Sequence, residues 1–289
     1  MPNADGSAAS KRPPRGATSD PRALLAKFGH ASFRPHQQEA CDASIAGHDV
    51  LLVGRDPHMA AIARDGLRVT GLFGEHRGRP RVATDLAHAD EPADVVFVSV
   101  KSHATEHVAA TLARWRNVPP LVVSLQNGLG NVETLAAALG GERVLGARVI
   151  FGALIPGPGV AHVTVNARPV AIGPLHRDDA LFAEARSVAS LFLACGIPAE
   201  ALASVEPLLW EKALYNCGLN PLGALHGLTY GEVVASPELR PLLDAAIDEG
   251  FAVARACGIA LPWHDPADFR AYFHATLVPP TAAHRSSMR

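Results

Sequence analysis

The sequence predicts an α/β protein: a doubly wound, Rossmann-like parallel sheet lacking its first strand, followed by an all-helical domain. Three observations predict it. Short apolar runs alternate with helical stretches over residues 48–175. The region before Val50 holds no β-branched run of the kind that makes a central strand. From about residue 179 onward the pattern is helical.

The apolar runs are His48-Asp-Val-Leu-Leu-Val-Gly-Arg55, Val95-Val-Phe-Val-Ser-Val-Lys101 and Leu121-Val-Val-Ser-Leu-Gln-Asn127. Each is short and rich in Val and Leu, as strands buried on both faces are. Helices are predicted between them, at 57–65 and 104–114, and this alternation argues for a doubly wound sheet. Runs at 144–150 and 160–165, split by Pro156-Gly-Pro-Gly159, read as closing strands. Further on, 182–195 is amphipathic and stops at Gly196, a C-cap signal. A second helix is predicted at 206–220, with Pro221 just beyond. Ser236-Pro237-Glu238 reads as an N-cap followed by proline at the first helical position, with the helix running to Gly258.

Composition bounds the function. The 289 residues, 48% hydrophobic and 19% charged, suit roughly two domains with a real core. A formal net charge of -2 gives no global basic field, so no nucleic-acid partner is expected. No apolar run reaches the ~18 residues of a membrane span, and residues 1–20, rich in Pro, Ser, Gly and Ala, read as a disordered tail rather than a secretory signal. The four cysteines are widely spaced, which suits buried thiols in the reducing cytoplasm.

The clearest chemical constellation is Trp210-Glu-Lys-Ala-Leu-Tyr-Asn-Cys-Gly-Leu-Asn-Pro-Leu222. Lys212, Asn216 and Asn220 recur every four residues and share one helix face. A cation with two amides suits a carbonyl that develops negative charge; a solvated helix face is the alternative. A second piece is Leu125-Gln-Asn-Gly-Leu-Gly-Asn131, directly after a strand. Its glycines allow close backbone approach to a ligand at the carboxyl end of the sheet, though an ordinary strand-to-helix turn reads the same way. Arg55 ends one strand, where an arginine favours the 2′-phosphate of NADP over a bare ribose. Lys101 ends another and offers further charge to phosphate or substrate. His103-Ala-Thr-Glu-His107 spells a zinc-protease pattern, but five-residue matches are cheap in a chain with 14 histidines, and no metal site is assigned.

Gly47-His-Asp-Val with Leu-Val-Gly-Arg55, Asp65-Gly-Leu, Val98-Ser-Val-Lys101, Gln126-Asn-Gly-Leu-Gly130 and Trp210-Glu-Lys-Ala through Pro221 follow one another in the order and spacing of the ketopantoate reductase family. Over residues 47–289 the chain resembles that family. The resemblance implies a dinucleotide-binding domain at 47–203, a helical substrate domain at 204–289, and a site in the cleft between them. It implies NADPH-dependent reduction of ketopantoate (2-dehydropantoate) or a related 2-keto acid in pantothenate synthesis. Lys212 would be the general acid, with Asn216 and Asn220 orienting substrate. Asn127 would lie near nicotinamide and substrate, Arg55 would hold the 2′-phosphate, and Ser287 would contact the substrate carboxylate. A homodimer through the helical domain is compatible with the resemblance and is argued by no residue.

Two departures accompany it. The family's Gly-x-Gly-x-x-Gly turn should precede Gly47 by about a dozen residues; here Phe33-Arg-Pro-His-Gln-Gln-Glu39 holds no glycine. Instead, residues 21–46 form a replacement segment. Phe28-Gly-His-Ala-Ser-Phe-Arg-Pro-His-Gln-Gln-Glu-Ala40, with Ala46-Gly-His-Asp-Val-Leu-Leu-Val53, resembles the opening of RecQ-type helicases, where the glutamine matching Gln37 helps recognise adenine. The strand is followed by Gly54-Arg-Asp-Pro-His58 and no Gly-Lys-Ser/Thr, so helicase chemistry is not expected. At the other end, the family's substrate-binding glutamate falls beyond Arg289, His284 stands where the family has asparagine, and 281–289 is too short for a helix without docking. An inactive remnant of the family is therefore the alternative expectation.

Overall fold

The structure, a computed structural model, describes residues 50–89 and 92–286. The tail, the replacement segment and Ser287 lie outside them. The elements are β1 (Leu51–Val53), α1 (His58–Asp65), β2 (Leu67–Gly71), β3 (His76–Gly78), β4 (Arg81–Ala83), β5 (Val96–Val98), α2 (Thr105–Arg114), β6 (Val122–Ser124), α3 (Asn131–Leu139), β7 (Val144–Arg148), β8 (Phe151–Gly157), β9 (Val160–Asn166) and β10 (Val170–Gly173). Then come α4 (Asp179–Ala194), β11 (Ala199–Ala201), α5 (Glu206–His226), α6 (Tyr230–Ala235), α7 (Arg240–Ala256) and α8 (Pro266–Tyr272).

The main sheet has the order β11-β10-β7-β6-β5. β5, β6 and β7 are parallel, while β10 runs antiparallel to β7. Both faces are covered, which is why these strands read as unbroken apolar runs. On one face Val98, Val122 and Val144 pack with α2, α3 and the start of α5 through Leu112, Leu135 and Leu209. On the other, Val123, Leu145 and Ile172 pack on α4 through Leu181, Ala185 and Val188. The α4 N-terminus is fixed by the Asp178 carboxylate, which accepts from the Leu181 N–H.

β1 pairs in parallel with β4 alone, and β5 with β6 alone, so no described strand stands between β1 and β5. Leu51 nevertheless packs on the apolar cluster that holds Val98. The two pieces share a core without sharing a ladder.

Five expectations are corrected. β9 does not close the main sheet. With β8, β2 and β3 it builds a separate four-stranded sheet, where Gly71 (φ +102°) lies so close to Val163 that a Cβ would sit 2.0 Å from its carbonyl oxygen. The helical half is preceded by an additional strand, β11, in a segment with no periodic apolar run. Helix α5 does not stop before Pro221 but carries it inside and ends at His226, capped by Gly227 at φ 70°. Proline there withholds an N–H from the Cys217 carbonyl, yet apolar packing holds the turn: Leu214 and Leu219 are buried against Leu243 and Ile247 of α7. Ser236 is not the N-cap of α7; its hydroxyl accepts from the Leu239 N–H one turn earlier. The thiols of Cys217 and Cys257 are exposed rather than buried.

The end of the described chain docks rather than forming a helix. A 3₁₀ turn at Pro279–Thr281 is followed by a bridge from Thr229 to Arg285. The N–H groups of Tyr230 and Gly231 donate to the carbonyls of His284 and Ala282, and the Tyr215 and Thr281 hydroxyls are bonded at 2.5 Å. No described helix is long and apolar enough to cross a membrane. Leu243 is fully buried between α5 and α7, so Leu243→Ala should cost about 2–5 kcal/mol in urea unfolding, the range for a cavity in a packed core. A loss under about 1 kcal/mol would contradict this packing.

Candidate active site

The site is built around α5. Its amphipathic length lets it cross β7 with one end and pack on α7 with the other. Lys212 lies where it crosses β7, and its Nζ donates to the Val149 carbonyl just past the strand. Burial, with the charge of Arg148 beside it, draws the Lys212 ammonium down from 10.5 to about 8. The proton is therefore held loosely enough to be given up near neutral pH.

Arg148 is the last residue of β7 and is 4% exposed. Strand register explains its reach. Ala171 on β10 pairs with both Arg148 and Glu200 of β11. A methyl group alone separates the two charged side chains, and Arg148 Nη2 lies 3.7 Å from Glu200 Oε1. Beside Lys212, Glu211 is buried. It stands 3.8 Å from Arg168 Nη1 and accepts from the Tyr272 hydroxyl at 3.3 Å. Burial pushes the Glu211 carboxyl up, against the pull of Arg168 and Arg148. Arg168 also lies over the Tyr272 ring at 5.6 Å. Arg148, Arg168, Glu211, Lys212, Tyr215 and Thr281 line a cleft of about 430 Å³, open on one side.

The predicted stripe is on one helix, but its members are engaged differently. Asn216 and Asn220 are half-buried on α5, and the Asn220 side-chain oxygen accepts from the Tyr230 hydroxyl at 2.7 Å. Neither lines the cleft that contains Lys212.

The glycine loop is held by a buried polar network. The Gln126 amide donates to the Val100 carbonyl and to the Thr105 hydroxyl, and Thr105 donates to Asn131. The Asn127 carbonyl accepts from the Ser102 hydroxyl at 2.9 Å and from the Asn131 amide at 3.0 Å. These bonds leave the Asn127 side chain exposed. Gly128 and Gly130 have φ 94° and 86°, and a Cβ at Gly130 would meet nothing within 4 Å. The loop faces Trp210 and Leu209 of α5 across a smaller cleft of about 240 Å³.

Arg55 and Lys101 are exposed just past β1 and β5, at the carboxyl ends of their strands. Both stand at the end of the strands where α/β sheets take their ligands. His103 and His107 fall on a 3₁₀ turn and on α2, and no group of three or more metal-ligating side chains is assembled among the described residues. Sequence reasoning missed Arg148, Arg168, Glu211 and the Gln126 network. A signal existed for Arg148, an arginine interrupting the apolar run of a buried strand, and for Glu211, which adjoins Lys212.

Comparison with known proteins places these residues in context. The family model "Ketopantoate reductase PanE/ApbA" matches residues 42–177, and its C-terminal companion matches 204–289. The 2-dehydropantoate 2-reductase of Aquifex aeolicus is 32% identical over 84% of this chain and 76% of its own length. That of Archaeoglobus fulgidus is 35% identical over 74% of this chain and 68% of its own. The crystal structure of a PanE/ApbA family ketopantoate reductase from Ralstonia eutropha superposes with a TM-score of 0.70 at 30% identity, over 86% of this chain and 78% of that one.

The geometry around Lys212 has a spectroscopic consequence. In ¹⁵N-detected NMR, the Lys212 ammonium should titrate near 8, well below a solvated lysine. A midpoint above about 10, the value for a free side chain, would contradict burial as its environment.

Proposed function

The chain belongs to the ketopantoate reductase family, and we propose that it reduces ketopantoate, or a close 2-keto acid relative, to the 2-hydroxy acid with NADPH, in pantothenate synthesis. The observation that carries this reading is the half-buried Lys212, held on the Val149 carbonyl at the wall of a cleft it shares with Arg148 and Arg168, where burial draws its ammonium down to about 8.

The bound reduced nicotinamide supplies a hydride to the keto carbon. As negative charge grows on the keto oxygen, Lys212 gives it a proton and is left as a neutral amine, which water reprotonates. The Val149 carbonyl holds Nζ in place for that transfer. The family resemblance assigns Asn216 and Asn220, further along α5 and outside the lining of the Lys212 cleft, to orienting the substrate. Asn127 stands at the nicotinamide end, and Ser287 contacts the substrate carboxylate. Arg55 takes the 2′-phosphate, with Lys101 adding charge nearby, which supports NADPH over NADH.

A second reading, an inactive remnant, is favoured by two observations: no described strand joins β1 to β5, and the sequence has no Gly-x-Gly-x-x-Gly turn. One assay separates the two. NADPH oxidation in the presence of ketopantoate should proceed in the wild type and fall about 10²–10⁴-fold in kcat in Lys212→Ala, the usual worth of a general acid. Folded wild type with no turnover would establish the remnant instead. Arg55→Ala should raise the KM for NADPH while leaving that for NADH nearly unchanged; equal effects on both would remove Arg55 from the 2′-phosphate site.

A further inference from the structure

Arg148 is an expensive residue to bury. A guanidinium carries five N–H donors and stays charged at any ordinary pH, so a buried one needs partners. Here Nε and Nη1 are both buried and have no hydrogen-bond partner among the described residues. Glu200, at 3.7 Å from Nη2, is beyond hydrogen-bonding distance, and its side chain is 48% exposed. The other carboxylate nearby is already engaged, since Glu211 faces Arg168 and takes the Tyr272 hydroxyl. Two donors of Arg148 are thus left without a partner, on a residue that lines the cleft also containing Lys212.

We propose that Arg148 binds the carboxylate of the substrate, pairing its fork with the two carboxylate oxygens while Lys212 serves the neighbouring carbonyl. This rests on the reading of the chain as a 2-keto acid reductase and assigns the residue that selects the acid. In a 2-keto acid the carboxylate is bonded directly to the keto carbon. A group that holds the carboxylate must therefore stand beside the group that protonates the ketone, and Arg148 stands beside Lys212. The planar guanidinium matches a carboxylate in a bidentate pair, which a lysine cannot reproduce. A serine hydroxyl at position 287 adds a hydrogen bond but no charge. The ligand's negative charge also offsets the repulsion between Arg148 and Lys212, so a bound carboxylate relieves both.

The test is calorimetric titration of the NADPH-bound protein with oxamate, a 2-keto acid mimic with the carboxylate but no reducible ketone. It is run on wild type, Arg148→Met and Arg148→Lys, with thermal unfolding and NADPH affinity as checks on each fold. Arg148→Met should weaken oxamate binding at least about 30-fold, as for a lost buried charge partner. Arg148→Lys, which keeps charge without the fork, should fall between. Equal oxamate affinity in all three, or none in the wild type, would overturn the proposal. Wild type that binds oxamate through Arg148 but turns over no ketopantoate would instead defeat the reductase reading and leave the carboxylate site standing.

Discussion

The crossing of α5 over the end of β7 is the constraint on which the rest depends. It places the Lys212 ammonium against the Val149 carbonyl and next to a second buried cation, Arg148. A lysine in water holds its proton too tightly to be an efficient acid at neutral pH. Removing water and adding a like charge both favour the neutral amine. The sheet supports this arrangement by burying β7 on both faces, and the helical half supports it by clamping the far end of α5 on α7 through Leu214, Leu219, Leu243 and Ile247.

Much of this was legible in the residues. Val and Leu runs gave the strands of the main sheet because both of its faces are covered, so burial leaves no alternation to misread. Lys212 stood out because a cation and two amides at four-residue spacing share one helix face. What stayed hidden depends on tertiary contacts. Pro221 looked like a helix stop, but apolar packing on both sides outweighs one lost hydrogen bond. β9 looked like part of the main sheet, and only its pairing with β2, at a glycine that allows near-contact, reveals a separate sheet. The Arg148–Glu200 and Arg168–Glu211 pairs join residues 52 and 43 positions apart, by subtraction of their numbers, so no local pattern marks them.

The division between β1–β4 and the main sheet bears on the proposed cofactor site. Arg55 follows β1 and Lys101 follows β5, so the two cations assigned to phosphate stand on either side of that division. Their relative placement rests on side-chain packing of Leu51 against the main core rather than on a continuous ladder. Side-chain packing holds geometry less strictly than paired backbone, so cofactor affinity is the property most exposed to this feature. The Lys212 cleft, built from β7, α5 and the docked C-terminal segment, lies on fully paired elements.

The most direct test of the central claim is the pH dependence of kcat/KM for ketopantoate reduction at saturating NADPH. As the proposed proton donor, Lys212 would have to carry its proton to act, and its affinity for that proton is lowered, so the protonated fraction is high below pH 8 and falls above it. The expected profile is level at neutral pH and declines tenfold per pH unit once pH passes about 8. A profile that stays level to about pH 10, where an ordinary lysine begins to lose its proton, would show that Lys212 is not the proton donor and that the crossing of α5 and β7 serves the fold alone.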